Sequence, residues 1–127
     1  MPRQGLNAPN LAPPIGPFSH AVQAGEMVYL SGQTGTDAKT DELVPGGVGA
    51  QTEQVFRNLG AVLEALGLGF DNVVKCNVYL TDMADFAAMN AIYAKQFAQP
   101  YPARTTVAVA ALPREAQVEI ELVARKG

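Results

Sequence analysis

The spacing of apolar residues changes from a helical to a strand pattern near the middle of the chain. From about residue 51 to residue 66, the apolar side chains fall on one helical face: Val55, Leu59, Val62, Leu63 and Leu66. Residues 73–80 instead alternate, and one side carries Val74, Cys76, Val78 and Leu80. These patterns predict an amphipathic helix that ends near Gly67, followed by a half-buried strand.

The segments on either side of this pair add strands and a second helix. Residues 21–33 are typical of a hairpin with a turn around Gly25. Asp82 is a suitable N-cap for a second helix, whose apolar face carries Phe86, Met89, Tyr93 and Phe97. After prolines 100 and 102, two more strands are predicted, over Arg104–Ala111 and Gln117–Ala124. The order β-β-α-β-α-β-β predicts an α+β sheet with both helices packed on one face.

Such a sheet has a second face, which also needs to be covered. Only 17% of the 127 residues are charged, which leaves few charges to solvate the surface of a small protein. We therefore expect other copies of the chain to cover the open face. Residues 1–17 are rich in proline, glycine and asparagine, and they are expected to form an extended arm on a single domain spanning residues 1–127.

Charge and composition argue against several classes of function. The net charge of −3 and the pI near 5.0 disfavour nucleic-acid binding through a broad basic face. Cys76 is the only cysteine, which excludes an intrachain disulfide and favours a reducing compartment. No apolar run reaches membrane-spanning length, and the N-terminus lacks the apolar core of a signal peptide. We expect a cytoplasmic protein that binds neither nucleic acid nor membranes.

Three charged residues near the C-terminus are candidates for chemistry. Arg104 opens an apolar strand, and a buried charge is costly unless it is paired or used on a ligand. Its counter-ion could be Glu119 or Glu121 in a structural ion pair, or the carboxylate of a substrate bound in a bidentate manner. Glu119 and Glu121 point to the same side of their strand, so at least one carboxylate is available to orient a water or to move protons.

Other chemistries have weak support in the sequence. Ser31 has no Gly-x-Ser-x-Gly elbow, and its only histidine base would be His20. His20 and Cys76 alone do not make a metal site, so no metal is expected. Residues 46–49 precede a helix but lack the Gly-Lys-Ser/Thr of a phosphate loop. Asn90 interrupts the apolar stripe of the second helix, which a hydrogen bond to the backbone could explain.

Six short motifs follow one another along nearly the whole chain. In order, they are residues 12–19 (APPIGPFS), 28–33 (VYLSGQ), 72–75 (NVVK), 85–90 (DFAAMN), 102–104 (PAR), and 112–113 (LP) ahead of 118–121 (VEIE). Each motif is modest alone, but their order and spacing extend over about 110 residues. Together they resemble the Rid family of reactive intermediate deaminases, also called the YjgF family.

The resemblance implies a fold, an assembly and a reaction. Family members are chorismate-mutase-like α+β subunits that assemble as homotrimers with clefts between neighbouring subunits. They hydrolyse reactive enamines and imines derived from amino acids to 2-keto acids and ammonia, and they need no metal or organic cofactor. Typical substrates are 2-aminoacrylate, 2-iminopropanoate and 2-iminobutanoate.

By position, the resemblance also implies roles for individual residues. Arg104 would bind the substrate carboxylate, and Glu119 would hold or activate the attacking water. The residues expected to line the cleft are Phe18, Ser31, Gly32, Asn90 and Thr106. An imine carbon is electrophilic once its nitrogen is protonated, so positioning can accelerate hydrolysis without a covalent nucleophile.

Three positions depart from the residues common in the family, and two alternatives stay open. Phe18 stands where tyrosine is common, Thr106 where cysteine is common, and His20 where glutamine is common. The lost phenolic hydroxyl leaves a more apolar wall, which suits a larger catabolic enamine of the aminomuconate type. The other alternative is a trimer that binds small carboxylates through Arg104 without turnover. The retention of Glu119 weighs against that alternative.

Overall fold

The computed structural model describes residues 2–127 and contains a six-stranded mixed sheet and two α-helices, which confirms the α+β prediction. The strands are β1 (Gln4–Leu6), β2 (Ala21–Ala24), β3 (Met27–Thr34), β4 (Val73–Leu80), β5 (Ala103–Ala108) and β6 (Val118–Arg125). The helices are α1 (Gly47–Ala65) and α2 (Phe86–Tyr93), and short 3₁₀ turns precede β4, α2 and β6. Within the described residues, no helix is long and apolar enough to span a membrane.

The sheet order places β4 between the two C-terminal strands. The strands lie in the order β1-β2-β3-β6-β4-β5, and each neighbouring pair is antiparallel except β4 with β5. The parallel pair needs a long crossover, which α2 and its flanking segments supply. Because β5 and β6 are not neighbours, Arg104 does not meet Glu119 or Glu121 across adjacent strands.

Both helices pack on one face of the sheet, as the order of elements predicted. The apolar stripe predicted for α1 is buried at Val55, Leu59, Val62 and Leu63. The sheet face that packs against the helices contributes Cys76, Val78 and Leu80 from β4, and Val118, Ile120 and Leu122 from β6. An aromatic cluster joins α1 to α2, with ring centroids 5.0 to 6.0 Å apart, and consists of Phe56, Phe70, Tyr93 and Phe97. This cluster lies beneath part of the site described below.

Two elements near the N-terminus differ from the prediction. Strand β1 lies within the arm and pairs with β2, although the sequence predicted no regular element there. This strand has only three residues, and Leu6 is its only half-buried side chain. It therefore shows no alternation of apolar residues from which a strand could be predicted. Helix α1 begins at Gly47 rather than near residue 51, because the buried Val48 extends the apolar stripe by one turn.

Two elements near the C-terminus are shorter than predicted. Helix α2 ends at Tyr93, so Phe97 follows the helix, although it is buried beside it. Asp82 acts as an N-cap, but its carboxylate accepts from the backbone N–H of Ala84 in the 3₁₀ turn before α2. Strand β5 ends at residue 108 rather than 111, because β4, against which it pairs, ends at residue 80.

The second face of the sheet is open in the subunit. Tyr29 and Val107 lie on this face and are 49% and 41% exposed, respectively. Tyr79 and Glu121 lie between them in the sheet and are half-buried. An open face that exposes large apolar side chains is typical of a surface that a partner covers.

Candidate active site

The predicted site residues fall into two groups on opposite faces of the sheet. Residues that pair directly across neighbouring strands point to the same face. Arg104 pairs with Cys76, which pairs with the buried Leu122, so Arg104 lies on the helix-covered face. Glu119 pairs with Tyr79 on the open face. A single subunit therefore does not bring Arg104 and Glu119 into one cavity.

Arg104 lies at the edge of the helix-covered face, against α2. Its Nη1 donates a hydrogen bond of 2.7 Å to Oδ1 of Asn90. Its guanidinium carbon lies 4.5 Å from the ring centroid of Tyr93 and 5.4 Å from that of Phe86. The amide and the two rings orient the guanidinium but leave its charge without a counter-ion. The adjoining cavity of about 470 Å³ is lined by Asn90, Tyr93, Ala94, Tyr101, Pro102 and Arg104.

Arg104 is a half-buried arginine with no carboxylate partner among residues 2–127, whereas Arg3, which also has none there, is exposed. Three arginines pair with acidic side chains, as Arg57–Glu53, Arg114–Asp41 and Arg125–Glu26. Arg104 is half-buried and contacts a neutral amide and aromatic rings instead. A partly buried cation without a counter-ion is costly, so the guanidinium is available to an anion from outside the subunit.

Thr106 belongs to the Arg104 side of the sheet. It pairs with Val78, whose other neighbour is the buried Ile120. Its hydroxyl is buried and has no hydrogen-bond partner among the described residues. Thr106 does not line the Arg104 cavity within residues 2–127. Its expected place in a cleft therefore stays a prediction.

The second group lines a cavity of about 530 Å³ where β3 ends and β6 begins. Four predicted site residues meet there: Phe18, Ser31, Gly32 and Glu119. The arm adds an apolar wall of Leu11, Ala12, Pro13, Pro14 and Ile15, and loops add Asp37, Asp41 and Arg114. The loop residues were not predicted as part of the site. The Arg114–Asp41 pair joins positions 73 residues apart and leaves no local pattern in the sequence.

Gly32 leaves the space that the Glu119 side chain occupies. The register of β3 against β6 shifts between Leu30 and Gln33, so Ser31 and Gly32 lie in an irregular part of the strand pair. A Cβ atom at Gly32 would overlap Oε2 of Glu119 and lie 3.0 Å from its Cδ. A glycine at this position therefore lets the carboxylate lie against the backbone of β3.

Ser31 and His20 hold the arm over the Glu119 cavity. Oγ of Ser31 donates to the carbonyl of Ser19 at 2.6 Å. The backbone N–H of Ala8 donates to Nδ1 of the buried His20 at 2.9 Å, and Nε2 of His20 donates to the carbonyl of Ala12 at 3.0 Å. This pattern fixes the neutral tautomer with its proton on Nε2. Ser31 and His20 are therefore not arranged as a nucleophile and its general base.

The two glutamates of β6 have different environments. Burial raises the pKa of Glu119 above the ordinary glutamate value, and the nearby charge of Glu121 raises it further. Glu121 accepts a hydrogen bond from the hydroxyl of Tyr79, and this bond is the main reason that the pKa of Tyr79 is raised to about 12. Glu121 is thus engaged within the sheet, which leaves Glu119 as the carboxylate suited to taking up a proton at its cavity.

The contact of Tyr93 and Phe86 with Arg104 differs from the sequence prediction, which places both aromatics in the core face of the second helix. A signal was present, because Tyr93 follows Asn90 by three positions and Phe86 precedes it by four. Residues at these spacings share one helical face. An asparagine on an otherwise apolar face therefore marked the face that meets Arg104.

Comparison with known proteins decides the family. The sequence signature of the family described as Endoribonuclease L-PSP matches residues 9–126. The chain belongs to this family. Its members are also called Rid or YjgF proteins, so the resemblance found in the motifs is confirmed.

Several proteins of known sequence or structure are similar to almost the whole chain. A 2-iminobutanoate/2-iminopropanoate deaminase of Mus musculus is 50% identical over 113 residues, which cover 89% of this chain and 84% of that protein. Protein DfrA of Myxococcus xanthus is 48% identical over 126 residues, covering 98% and 96% of the two chains. The crystal structure of RidA from an Antarctic Psychrobacter is 45% identical, with a TM-score of 0.91 and coverage of 96% and 98%.

Proposed function

We propose that the protein hydrolyses small 2-imino acids and their enamine tautomers, such as 2-iminopropanoate and 2-iminobutanoate, to 2-keto acids and ammonia. The observation that carries this proposal is the half-buried guanidinium of Arg104, which has no counter-ion among residues 2–127 and faces a cavity. A substrate carboxylate would supply the missing charge. The mouse relative named 2-iminobutanoate/2-iminopropanoate deaminase supports the same substrate class.

The proposed chemistry assigns one task to each charged group. Arg104 binds the carboxylate and so fixes the imine carbon, while Glu119 holds a water and takes its proton as the oxygen attacks that carbon. The resulting carbinolamine receives the proton on nitrogen. The C–N bond then breaks and ammonia leaves as the C=O bond forms, and the proton of the carbinolamine hydroxyl passes to Glu119. The raised pKa of Glu119 suits a group that must both accept and return a proton.

We infer that each site is assembled from two subunits of a homotrimer. Arg104 and Glu119 lie on opposite faces of one sheet, so a substrate held by Arg104 needs a Glu119 from another copy. The exposed Tyr29 and Val107 support an interface on the open face, and Tyr101, 56% exposed, lies at the Arg104 cavity. Analytical ultracentrifugation tests the assembly: a trimer is expected, and a stable monomer with full activity would contradict it.

The activity itself is tested by generating imino acids in the presence of the protein. An amino-acid oxidase produces 2-iminopropanoate or 2-iminobutanoate in situ, and the disappearance of the imine is followed with and without the protein. We expect faster loss of imine and matching release of 2-keto acid. A well-folded oligomer that binds 2-oxobutanoate but does not accelerate imine loss would instead support a binding protein without turnover.

A larger enamine is the second candidate substrate, because the wall of the Glu119 cavity is apolar. Phe18 is 51% exposed at this cavity and offers a phenyl ring where the family commonly has a phenol. We expect Phe18→Tyr to raise kcat/KM on 2-iminopropanoate by about 2- to 10-fold, through one added hydrogen bond. Initial rates on imino acids of increasing length measure this. An equal change on long and short imines would remove the link between Phe18 and substrate size.

Replacement of Gly32 tests whether catalysis depends on the position of the Glu119 carboxylate. We expect Gly32→Ala to lower kcat by about 10-fold or more, because the added methyl group overlaps Oε2 of Glu119 and displaces it. The matched control is Gly49→Ala, where a Cβ would meet no atom within 4 Å. It is expected to keep wild-type rates. A Gly32→Ala enzyme with unchanged kcat would show that the carboxylate does not act from this place.

The family description names an endoribonuclease, but the site does not favour RNA cleavage. The net charge is −3, which opposes the approach of a polyanion. His20 has both ring nitrogens bonded to the backbone of the arm, so it is not free to move protons in phosphodiester cleavage. Arg104, held beside a small cavity, suits a small carboxylate better than a nucleic-acid strand.

A further inference from the structure

We propose that Tyr93 is a positioning residue, whose ring face holds the Arg104 guanidinium in the orientation that binds a substrate carboxylate. The proposal deepens the function proposed above and rests on it. Tyr93 and Asn90 lie three positions apart on α2, so one face of this helix presents both an amide and an aromatic ring to β5. The amide fixes Nη1 at 2.7 Å, and the ring supports the guanidinium carbon at 4.5 Å.

The ring of Tyr93 is itself held on two sides. Its centroid lies 5.8 Å from that of Phe56 on α1, with the ring planes 71° apart. It lies 5.0 Å from that of Phe97, at 46°. These contacts belong to the aromatic cluster between the two helices. The ring that lies under Arg104 is therefore fixed in the packed core and is not mobile.

The hydroxyl of Tyr93 does not account for the presence of this residue. Tyr93 is 6% exposed, and its hydroxyl oxygen is buried without a nitrogen or oxygen partner within residues 2–127. The thiol of Cys76 is a neighbour of the hydroxyl, and Cys76 lies beside Arg104 in the β4–β5 register. A thiol is a weak hydrogen-bonding partner for a buried hydroxyl, so the hydroxyl contributes little to stability. The ring face, not the hydroxyl, is therefore the part that serves Arg104.

Because the Tyr93 ring contacts the face of the Arg104 guanidinium, the edge of the guanidinium stays available to a carboxylate. A carboxylate binds arginine in the plane of the guanidinium, through two parallel N–H groups, while an aromatic ring contacts the flat face. The two interactions are compatible, and the ring removes rotational freedom that the side chain would otherwise lose on binding. A residue that only filled the core would contribute to stability without changing the affinity for an anion.

The test compares a ring-preserving with a ring-removing substitution. Tyr93→Phe keeps the face, and Tyr93→Met fills the space with a flexible side chain that has no face. The dissociation constant of 2-oxobutanoate is measured by NMR titration, and kcat and KM are measured on 2-iminobutanoate. We expect Tyr93→Met to raise both the dissociation constant and KM by about 3- to 30-fold. Its kcat stays within about threefold, and Tyr93→Phe stays within about twofold of wild type in every constant.

Two results would overturn the proposal. One is a folded Tyr93→Met protein that binds 2-oxobutanoate as tightly as wild type. The other is a Tyr93→Phe protein that loses as much affinity as Tyr93→Met. If Tyr93→Met does not fold, pentafluorophenylalanine at position 93 keeps the shape and reverses the charge distribution of the ring. It is then expected to weaken 2-oxobutanoate binding by about threefold or more, and unchanged binding would overturn the proposal.

The same measurements separate this proposal from the proposed function. A wild-type protein that binds 2-oxobutanoate through Arg104 but does not hydrolyse imines would overturn the deaminase function. The dependence of binding on Tyr93 would still decide the positioning role. A wild-type protein that does not bind 2-oxobutanoate would overturn both.

Discussion

Arg104→Ala is expected to lower kcat/KM on 2-iminobutanoate by about 100-fold or more, while the protein still folds. The substitution removes the proposed bidentate, charge-assisted contact, which is among the strongest single interactions available to a carboxylate. Stability changes little, because Arg104 has no ion pair within residues 2–127 and removing it also removes an uncompensated charge. Steady-state kinetics and thermal unfolding measure the two effects.

Two companion variants make this result specific. Arg104→Lys keeps the charge but loses the planar fork and the stacking on Tyr93, so its activity is expected between those of wild type and Arg104→Ala. Arg125→Ala removes an exposed arginine that pairs with Glu26 and is expected to leave kcat/KM unchanged. Full activity of Arg104→Ala would remove the carboxylate clamp from the mechanism.

Glu119→Gln is expected to lower kcat by about 100- to 10,000-fold, because glutamine can hold a water but cannot accept its proton. The dissociation constant of 2-oxobutanoate is expected to change by less than about threefold, since the proposed mechanism assigns carboxylate binding to Arg104. The two constants, measured by steady-state kinetics and NMR titration, separate catalysis from binding. An equal loss in both would make Glu119 a structural residue.

Glu121→Gln is the matched control and also predicts a shift in pH dependence. Glu121 lies two residues along the same strand on the same face, and its negative charge contributes to the raised pKa of Glu119. Removing that charge lowers the pKa of Glu119, so the carboxylate form persists to lower pH. The acidic limb of the kcat/KM profile is therefore expected to move to lower pH, with activity retained at neutral pH. A limb that does not move would mean that another group controls it.

The raised pKa of Glu119 also predicts the sign of its effect on stability. The native pKa lies above the pKa in the unfolded chain, so the native state binds its proton more tightly. As the pH rises through these values, the native state loses stability relative to the unfolded state. We therefore expect Glu119→Gln, which cannot ionise, to unfold at a higher temperature than wild type at neutral pH.

The fold followed from the sequence wherever an apolar period was long enough to read. Strand β4 has the predicted bounds, residues 73–80, and the buried face of α1 carries the predicted stripe. The predicted apolar side of β4 is wrong at Val74, which is 43% exposed, because the register against β6 shifts between Val73 and Lys75. Strand β1 could not be predicted, because three residues pairing along one edge leave no periodic pattern. The length of β5 depends on where its partner β4 ends. It could not be predicted, because the two strands are distant in sequence and their pairing is not evident from either segment.

The candidate site residues could be named from the sequence, but their arrangement in space could not. The motifs named residues of both groups, including Asn90, for which a backbone hydrogen bond was the alternative to a place in the cleft. Its amide bonds to Arg104. The sequence showed that Glu119 and Glu121 share a side of β6. It could not show that Arg104 faces the other way, because this depends on the register of β5 and β6 against the intervening β4. The alternation of side chains along one strand does not show which way the side chains of a second strand point until the register between the two strands is known.

Combining Arg104→Ala and Glu119→Gln subunits in one oligomer tests most directly whether a site is shared between subunits. Arg104→Ala and Glu119→Gln subunits are co-refolded in equal amounts and assayed on 2-iminobutanoate, with each variant refolded alone as a control. If each site takes Arg104 from one subunit and Glu119 from its neighbour, about a quarter of the sites in randomly mixed trimers are intact, and activity is expected to return to about that fraction of wild type. Mixed oligomers that stay as inactive as the separate variants would contradict a site shared between subunits.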